Sequence, residues 1–238
     1  YGCMRTSTSL QEIKSLFSFF YNIIILRHKD SRPHRPLSRE LLIPTVLGMI
    51  FSAIFIITDG IFVGKGIGSD ALAAVNITAP LFLINTGVAL MFGIGASVVA
   101  SIHLSQGKVK VARINITQAV VVSSLLLIAY AAVILCNVEK IALLLGSSPR
   151  LLPLATEYMH WFVPFLVFSA LLSSGMFFVR LDGSPNYAMV CNIIPALLNI
   201  GLDYLFIFVF KWGMFGAALA TSLGYIVGAL MILIYLMQ

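Results

Sequence analysis

The chain has little charge. Asp, Glu, Lys and Arg make up only 10% of its 238 residues, whereas 60% are hydrophobic. Soluble domains average about 25% charged residues, and with a mean hydropathy of +1.01 this chain could not hide its apolar surface in a water-soluble fold. Cysteine is also sparse. Cys3, Cys136 and Cys191 show no paired spacing, which argues against a disulfide framework and a thiolate metal site. His28, His34 and His103 lie in flanks or loops, and His160 stands early in an apolar stretch beside Trp161. None has a second His or Cys at ligand spacing, so no metal site is expected beyond a bound Na⁺, and no cofactor. There are only 9 acidic residues against 15 basic ones, a net charge of +6. The excess sits in polar breaks between apolar stretches, which points to anionic lipid rather than nucleic acid as the partner.

Long hydrophobic runs are abundant. A bilayer-spanning helix needs about 20 apolar residues at 1.5 Å rise each. The sequence supplies six such stretches, at about 41–63, 72–101, 111–136, 152–179, 187–210 and 213–236. The fold class expected is therefore an all-α polytopic membrane protein, a bundle of six transmembrane helices over residues 40–238. The linkers at 64–70, 103–110, 137–150, 180–186 and 211–212 are short, so consecutive helices should be antiparallel neighbours. Residues 1–39 form a basic flank. Its apolar run at 16–26 is too short to span and lacks a small-residue cleavage site, so the flank reads as non-native or interfacial rather than as a signal peptide.

Basic residues set the orientation. Arg27, Lys29, Arg32, Arg35 and Arg39 precede the first span, Lys108, Lys110 and Arg113 separate the second and third, and Arg180 separates the fourth and fifth. The opposite side carries Lys65, Lys140, Arg150 and Lys211. The larger set should be cytoplasmic, which places both ends of the six-span lobe inside a cell (inner) membrane.

Four polar residues interrupt the apolar stretches: Asp59, Asn199, Asp203 and Thr221. An ionisable side chain in hydrocarbon costs at least about 2.5–3.5 kcal/mol on insertion scales. Counted from the nearest outer loop, Asp59, Asp203 and Thr221 fall at one depth, roughly 8–12 Å below the surface. Asn192, Asn199 and Asp203 share a helix face within about 40°. Pro44, Gly48, Ser52 and Asp59 share a side of the first helix. Gly213, Ala217, Thr221, Gly224 and Gly228 form a small-residue stripe that would draw the sixth helix against the fifth. An ordinary interhelical hydrogen bond would account for Asn199 or Thr221 taken singly, and water at the interface for Asp59. Together they suit uptake of a proton or a monovalent cation, because carboxyls withdrawn from water favour the neutral or cation-paired form. That is the chemistry of a coupled carrier.

Other signals are weaker. Gly64-Lys-Gly-Ile-Gly68 lacks the Lys-Ser/Thr of a phosphate loop and does not follow a strand, so it reads as a tight turn. Gly93/Gly95 and Gly224/Gly228 read as helix-packing sites. Trp161, Trp212 and Tyr158 fit an interfacial aromatic belt. Pro44 would kink the first helix, or would stand harmlessly in its first turn.

Several ordered motifs resemble a known family. Pro44, Thr58-Asp-Gly-Ile-Phe-Val-Gly-Lys-Gly-Ile-Gly-Ser-Asp-Ala-Leu-Ala-Ala-Val-Asn76, Arg180-Leu-Asp-Gly-Ser-Pro185, Leu198-Asn-Ile-Gly-Leu-Asp-Tyr204 and Gly213…Gly216-Ala-Ala-Leu-Ala-Thr221 are similar to multidrug and toxic compound extrusion (MATE) transporters. The likeness is best to the prokaryotic branch containing the DNA-damage-inducible F proteins. It implies a coupling-cation (H⁺ or Na⁺) site at Asp59, Asn199, Asp203 and Thr221, and a hinge at Pro44. It also implies an antiporter that exports organic, cationic or amphiphilic compounds. Such transporters have twelve spans in two lobes, whereas this sequence starts at Tyr1 and stops as the sixth stretch ends. The expectation is an N-terminal half that lacks its C-terminal lobe, or else a half-transporter that pairs with a second copy. Two other functions compete. A flippase for a lipid-linked precursor should carry a cationic groove, but the membrane interior holds acids and no Lys or Arg. An intramembrane enzyme could use the two aspartates as a dyad, although Asn199 and Thr221 suit cation coordination better, and an assembly scaffold needs no buried carboxylates.

Overall fold

The computed structural model describes the backbone of residues 37–237 and the side chains of residues 45–237. Nearly all of the basic flank, and the side chain of Pro44, lie outside the described residues. The spanning bundle lies within the compact unit Pro44–Gln238. Among the described residues there is no strand. Among the described residues, six helical segments are long and apolar enough to cross a membrane: Thr45–Gly66, Ser69–Ser105, Val109–Cys136, Leu152–Leu181, Pro185–Val209 and Gly213–Met237. They are called the first to sixth spans. The protein is thus an all-helical integral membrane protein.

Several boundaries differ from those read in the sequence. The first helix continues through Lys65 to Gly66, which reduces the turn after it to two residues, Ile67 and Gly68. The second runs for 37 residues, about 55 Å at 1.5 Å per residue. It continues past its apolar run because Ser101 and Ser105 return their hydroxyls to the carbonyls of Val98 and Ile102, so polar residues need not end it. The linker at 137–150 contains a short helix, Val138–Leu144. The turn after the fourth span needs a left-handed residue, and Gly183 takes φ +82° there, a conformation glycine adopts without a Cβ penalty.

The fourth span is the centre of the bundle. Some 61% of its most apolar window is buried, against 11% for the first span. It packs on the second and sixth spans. It is also broken. Pro164 lies in a 3₁₀ turn, Val163–Phe165, between two α-helical halves, because proline lacks the N–H and its ring clashes with the carbonyl four residues back. Asn85 of the second span bridges to this break. Its Nδ2 donates to the Leu166 carbonyl at 3.2 Å and to Ser169 Oγ at 2.9 Å.

Small residues let the helices close together. A Cβ on Gly93 would lie 2.8 Å from Ser174 Cα, and one on Gly228 would lie 2.9 Å from Pro195 Cγ. The expected packing roles of Gly93, Gly224 and Gly228 are seen. Gly95 and Gly213 differ, with nothing within 4 Å of either. Gly213 serves instead as a turn residue at φ +62°.

Candidate functional site

The fifth helix positions two of the four polar residues. It is α-helical from Pro185 to Asp203 and then widens into a π-helical segment, Tyr204–Val209. Asp203 is therefore the last α-helical residue, fully buried, with Asn199 one turn before it and 1% exposed. Such widened turns recur at functional sites because they release backbone groups and re-aim side chains. The sequence face that joins Asn199 to Asp203 lies wholly in the regular part and is preserved.

The sixth helix supplies Thr221. Its hydroxyl donates to the Ala217 carbonyl at 3.1 Å and accepts from Asn199 Nδ2 at 3.3 Å. The approach rests on Gly224, where a Cβ would stand 3.2 Å from the Pro195 carbonyl oxygen and 3.5 Å from Asn199 Cβ. With its amino end held by Thr221, the Asn199 amide turns its Oδ1 the other way.

The first helix brings Asp59. It meets the fifth at two levels: Gly48 faces Asn192 Nδ2, and Gly66 lies against Ile207 and Phe208 of the π-helical segment. Phe62 and Phe208 stack edge-to-face at 5.6 Å. Between these contacts the carboxyls of Asp59 and Asp203 come within hydrogen-bond reach of each other. Two ionised carboxylates have no donor to share, so this proximity calls for a proton or a cation.

The unserved atoms agree. Asp59 Oδ1, Asn199 Oδ1 and both carboxylate oxygens of Asp203 are buried and receive no hydrogen bond from the described residues. Buried acceptors without donors are rare in native proteins and each needs an explanation. Here they gather where the first and fifth spans meet, all are oxygens, and the donor set suits a proton or a small hard cation.

The structure thus brings Asp59, Asn199, Asp203 and Thr221 together. Pro44 stands fifteen positions before Asp59, and its side chain lies outside the described residues. The helix Leu37–Gly66 runs through position 44, so Pro44 is an interior proline rather than a first-turn one. Two tyrosines were missed by the sequence reading. Tyr158 lies within electrostatic range of both carboxyls, and Tyr225 within range of Asp59. The interfacial placement of Tyr158 is corrected: it is 5% exposed, because the fourth span is central and its Tyr158 side packs into the core. Trp161 and Trp212, each 43% exposed, do present themselves outward. Tyr225 was within reach of sequence reasoning, since it follows Thr221 by four residues on the same face. It joins Phe82 at 6.1 Å and Phe162 at 6.4 Å in an aromatic wall.

Comparison with known proteins decides the family. MatE matches residues 15–205. The chain belongs to the MatE family. It is 30% identical over 202 residues to a FAD transporter of Shewanella oneidensis, covering 81% of this chain and 44% of that protein. It is 33% identical over 103 residues to the multidrug export protein MepA of Staphylococcus aureus, covering 42% of this chain and 22% of MepA. A solved multidrug resistance MATE family transporter of the MOP superfamily, in an outward-facing conformation, superposes with a TM-score of 0.76 at 28% identity. That match covers 82% of this chain and 43% of the other. The chain spans less than half the length of these relatives, so what it matches is about one lobe of a MATE-type fold.

Proposed function

We propose that this chain forms the cation-coupling lobe of a secondary active transporter, an antiporter that moves organic compounds in exchange for H⁺ or Na⁺. The observation that carries the reading is the gathering of four unserved buried oxygens from Asp59, Asn199 and Asp203, with Thr221 orienting the amide. Cation or proton occupancy would bridge Asp59 on the first span to Asp203 on the fifth. Occupancy would then favour one arrangement of those helices over the other, which is what coupling requires.

The cargo belongs to the same proposal. Likeness to MepA and to a multidrug resistance transporter supports organic, cationic or amphiphilic compounds. Likeness to a FAD transporter supports a class wider than cations alone. The cargo cavity would be completed by a further six-span lobe or by a second copy. In this reading the protein lies in the inner membrane with both ends of the bundle cytoplasmic, supported by Lys108, Lys110, Arg113 and Arg180 on that side.

The test is transport of a fluorescent organic cation and uptake of isotopic Na⁺ in vesicles, under imposed proton and sodium gradients. Asp203→Asn and Asp59→Ala should insert at normal levels and lose cation-driven transport. Full gradient-driven activity in Asp203→Asn would remove the site from the mechanism.

A further inference from the structure

A second polar feature lies where the first helix ends. Lys65, Ile67, Ile207, Phe208, Lys211 and Gly213 line a cavity of about 440 Å³ between the first turn and the end of the fifth span. Two exposed lysines therefore border one cavity. Among the described residues neither lysine has a carboxylate partner; the ion pair there joins Arg150 to Asp70. Lys65 stands in the last turn of its helix and Lys211 follows the C-cap of the fifth, Phe210, both at helix ends where a cation offsets the negative end of the dipole.

The backbone at Lys211 is unusual. It takes φ +56°, the one non-glycine residue among those described to do so, and a lysine there is disfavoured by roughly 1–2 kcal/mol. Glycine follows two positions later, also at positive φ. The lining is mixed: two lysines together with Ile67, Ile207 and Phe208. Beside it Phe206, Phe210, Trp212 and Phe215 form a continuous aromatic ladder with centroid separations of 4.9–6.2 Å. Tryptophan and aromatic clusters of this kind settle at headgroup depth.

We infer that this cavity seats a phosphate-bearing anion, with the phosphate between Lys65 and Lys211. An anionic lipid headgroup and free phosphate share that chemistry. The apolar lining and the aromatic ladder favour the lipid, whose acyl chains would run down over the exposed Phe208. The inference rests on the membrane-spanning fold and is independent of the cation site. The cavity does touch the helices that carry Asp59 and Asp203, so an occupant would clamp the first helix to the π-helical segment.

The test is native mass spectrometry of the purified full chain, with phosphatidylglycerol, phosphatidylcholine or inorganic phosphate added separately. Phosphatidylglycerol should be retained in preference to phosphatidylcholine. Each lysine near a membrane surface contributes about fivefold in affinity for anionic lipid. Lys65→Gln/Lys211→Gln should therefore weaken retention about thirtyfold, with Lys→Arg at both positions largely restoring it and Lys140→Gln leaving it unchanged. If inorganic phosphate shows the same lysine dependence, the site accepts the anion from either source. If it does not bind, the site is a lipid site. Equal retention of the two lipids, or undiminished phosphatidylglycerol binding by the folded double variant, overturns the inference.

Discussion

Gly224 sets the spacing on which the candidate cation site depends, although it touches no carboxylate. In Gly224→Ala the new Cβ would stand 3.2 Å from the Pro195 carbonyl oxygen and 3.5 Å from Asn199 Cβ. The first separation is a few tenths of an ångström too short, and its partner is backbone, so the fifth and sixth helices must part by about that amount. The Asn199–Thr221 hydrogen bond already measures 3.3 Å. A further ~0.3 Å takes it to a distance at which it no longer counts as a bond. Interhelical hydrogen bonds in membranes are worth about 0.6 kcal/mol on average and about 1.7 at most. If the bond acts by holding Asn199 Oδ1 toward the carboxyls, cation affinity should fall about 3- to 20-fold.

Binding of isotopic Na⁺ and proton uptake after a pH step, both on purified protein, would measure this. Gly201→Ala is the control, since nothing lies within 4 Å of that position and it is nearer in sequence to Asp203. Thr221→Val removes the same hydrogen bond by another route. If the reasoning holds, Gly224→Ala adds little in a Thr221→Val background, because neighbouring changes acting through one interaction are not additive. Wild-type affinity in Gly224→Ala, or full additivity of the two changes, would refute it.

Two further expectations follow from packing. Asn85→Leu leaves Ser169 Oγ and the Leu166 carbonyl without their cross-helix donor and should cost about 1–3 kcal/mol, read as a lower thermal midpoint in detergent; an unchanged midpoint would show that the break at Pro164 needs no bridge. In a Cys3→Ser background, a maleimide should label Cys136, which is exposed, and spare Cys191, which is buried, until the protein is denatured. Two labels on folded protein would contradict the packing of the fifth helix.

The six spans were legible because hydropathy and length decide them, and tertiary packing only adjusts their ends. The clustering of the candidate residues was legible for a related reason: an acid in a greasy helix stands out, and helical geometry places it by face. What was not legible arose where a helix departs from regularity. The π-helical segment after Asp203 has an unremarkable sequence, Tyr-Leu-Phe-Ile-Phe-Val, and no local signal distinguishes it from an α-helix. The break at Pro164 was visible as a proline but not as a gap repaired by Asn85, a contact between residues 81 apart in sequence. Tyr158 was misplaced because its interfacial reading used sequence position alone, while its burial depends on the fourth span being central.

Buried polarity alone would not have singled out the site. Thr78, Ser101, Ser123, Ser169, Ser174 and Ser222 are also buried, yet each returns its hydroxyl to a backbone carbonyl three or four residues earlier. Such side chains are satisfied within their own helix and ask nothing of a ligand. Asn85, His103 and Asn115 each leave one buried atom unserved, but these are isolated, and a single water could serve any of them. At Asp59 and Asp203 the situation differs in kind. Two carboxyls on different helices are close enough to repel, with a third acceptor on Asn199 one turn away and no protein donor for any of them. Apolar packing cannot relieve that arrangement, and another acceptor would worsen it. A positive species would relieve it, whether a shared proton or a small cation. Asp59 rides on the first span, the least enclosed of the six, so neutralising the pair acts on the helix that the rest of the bundle holds most loosely.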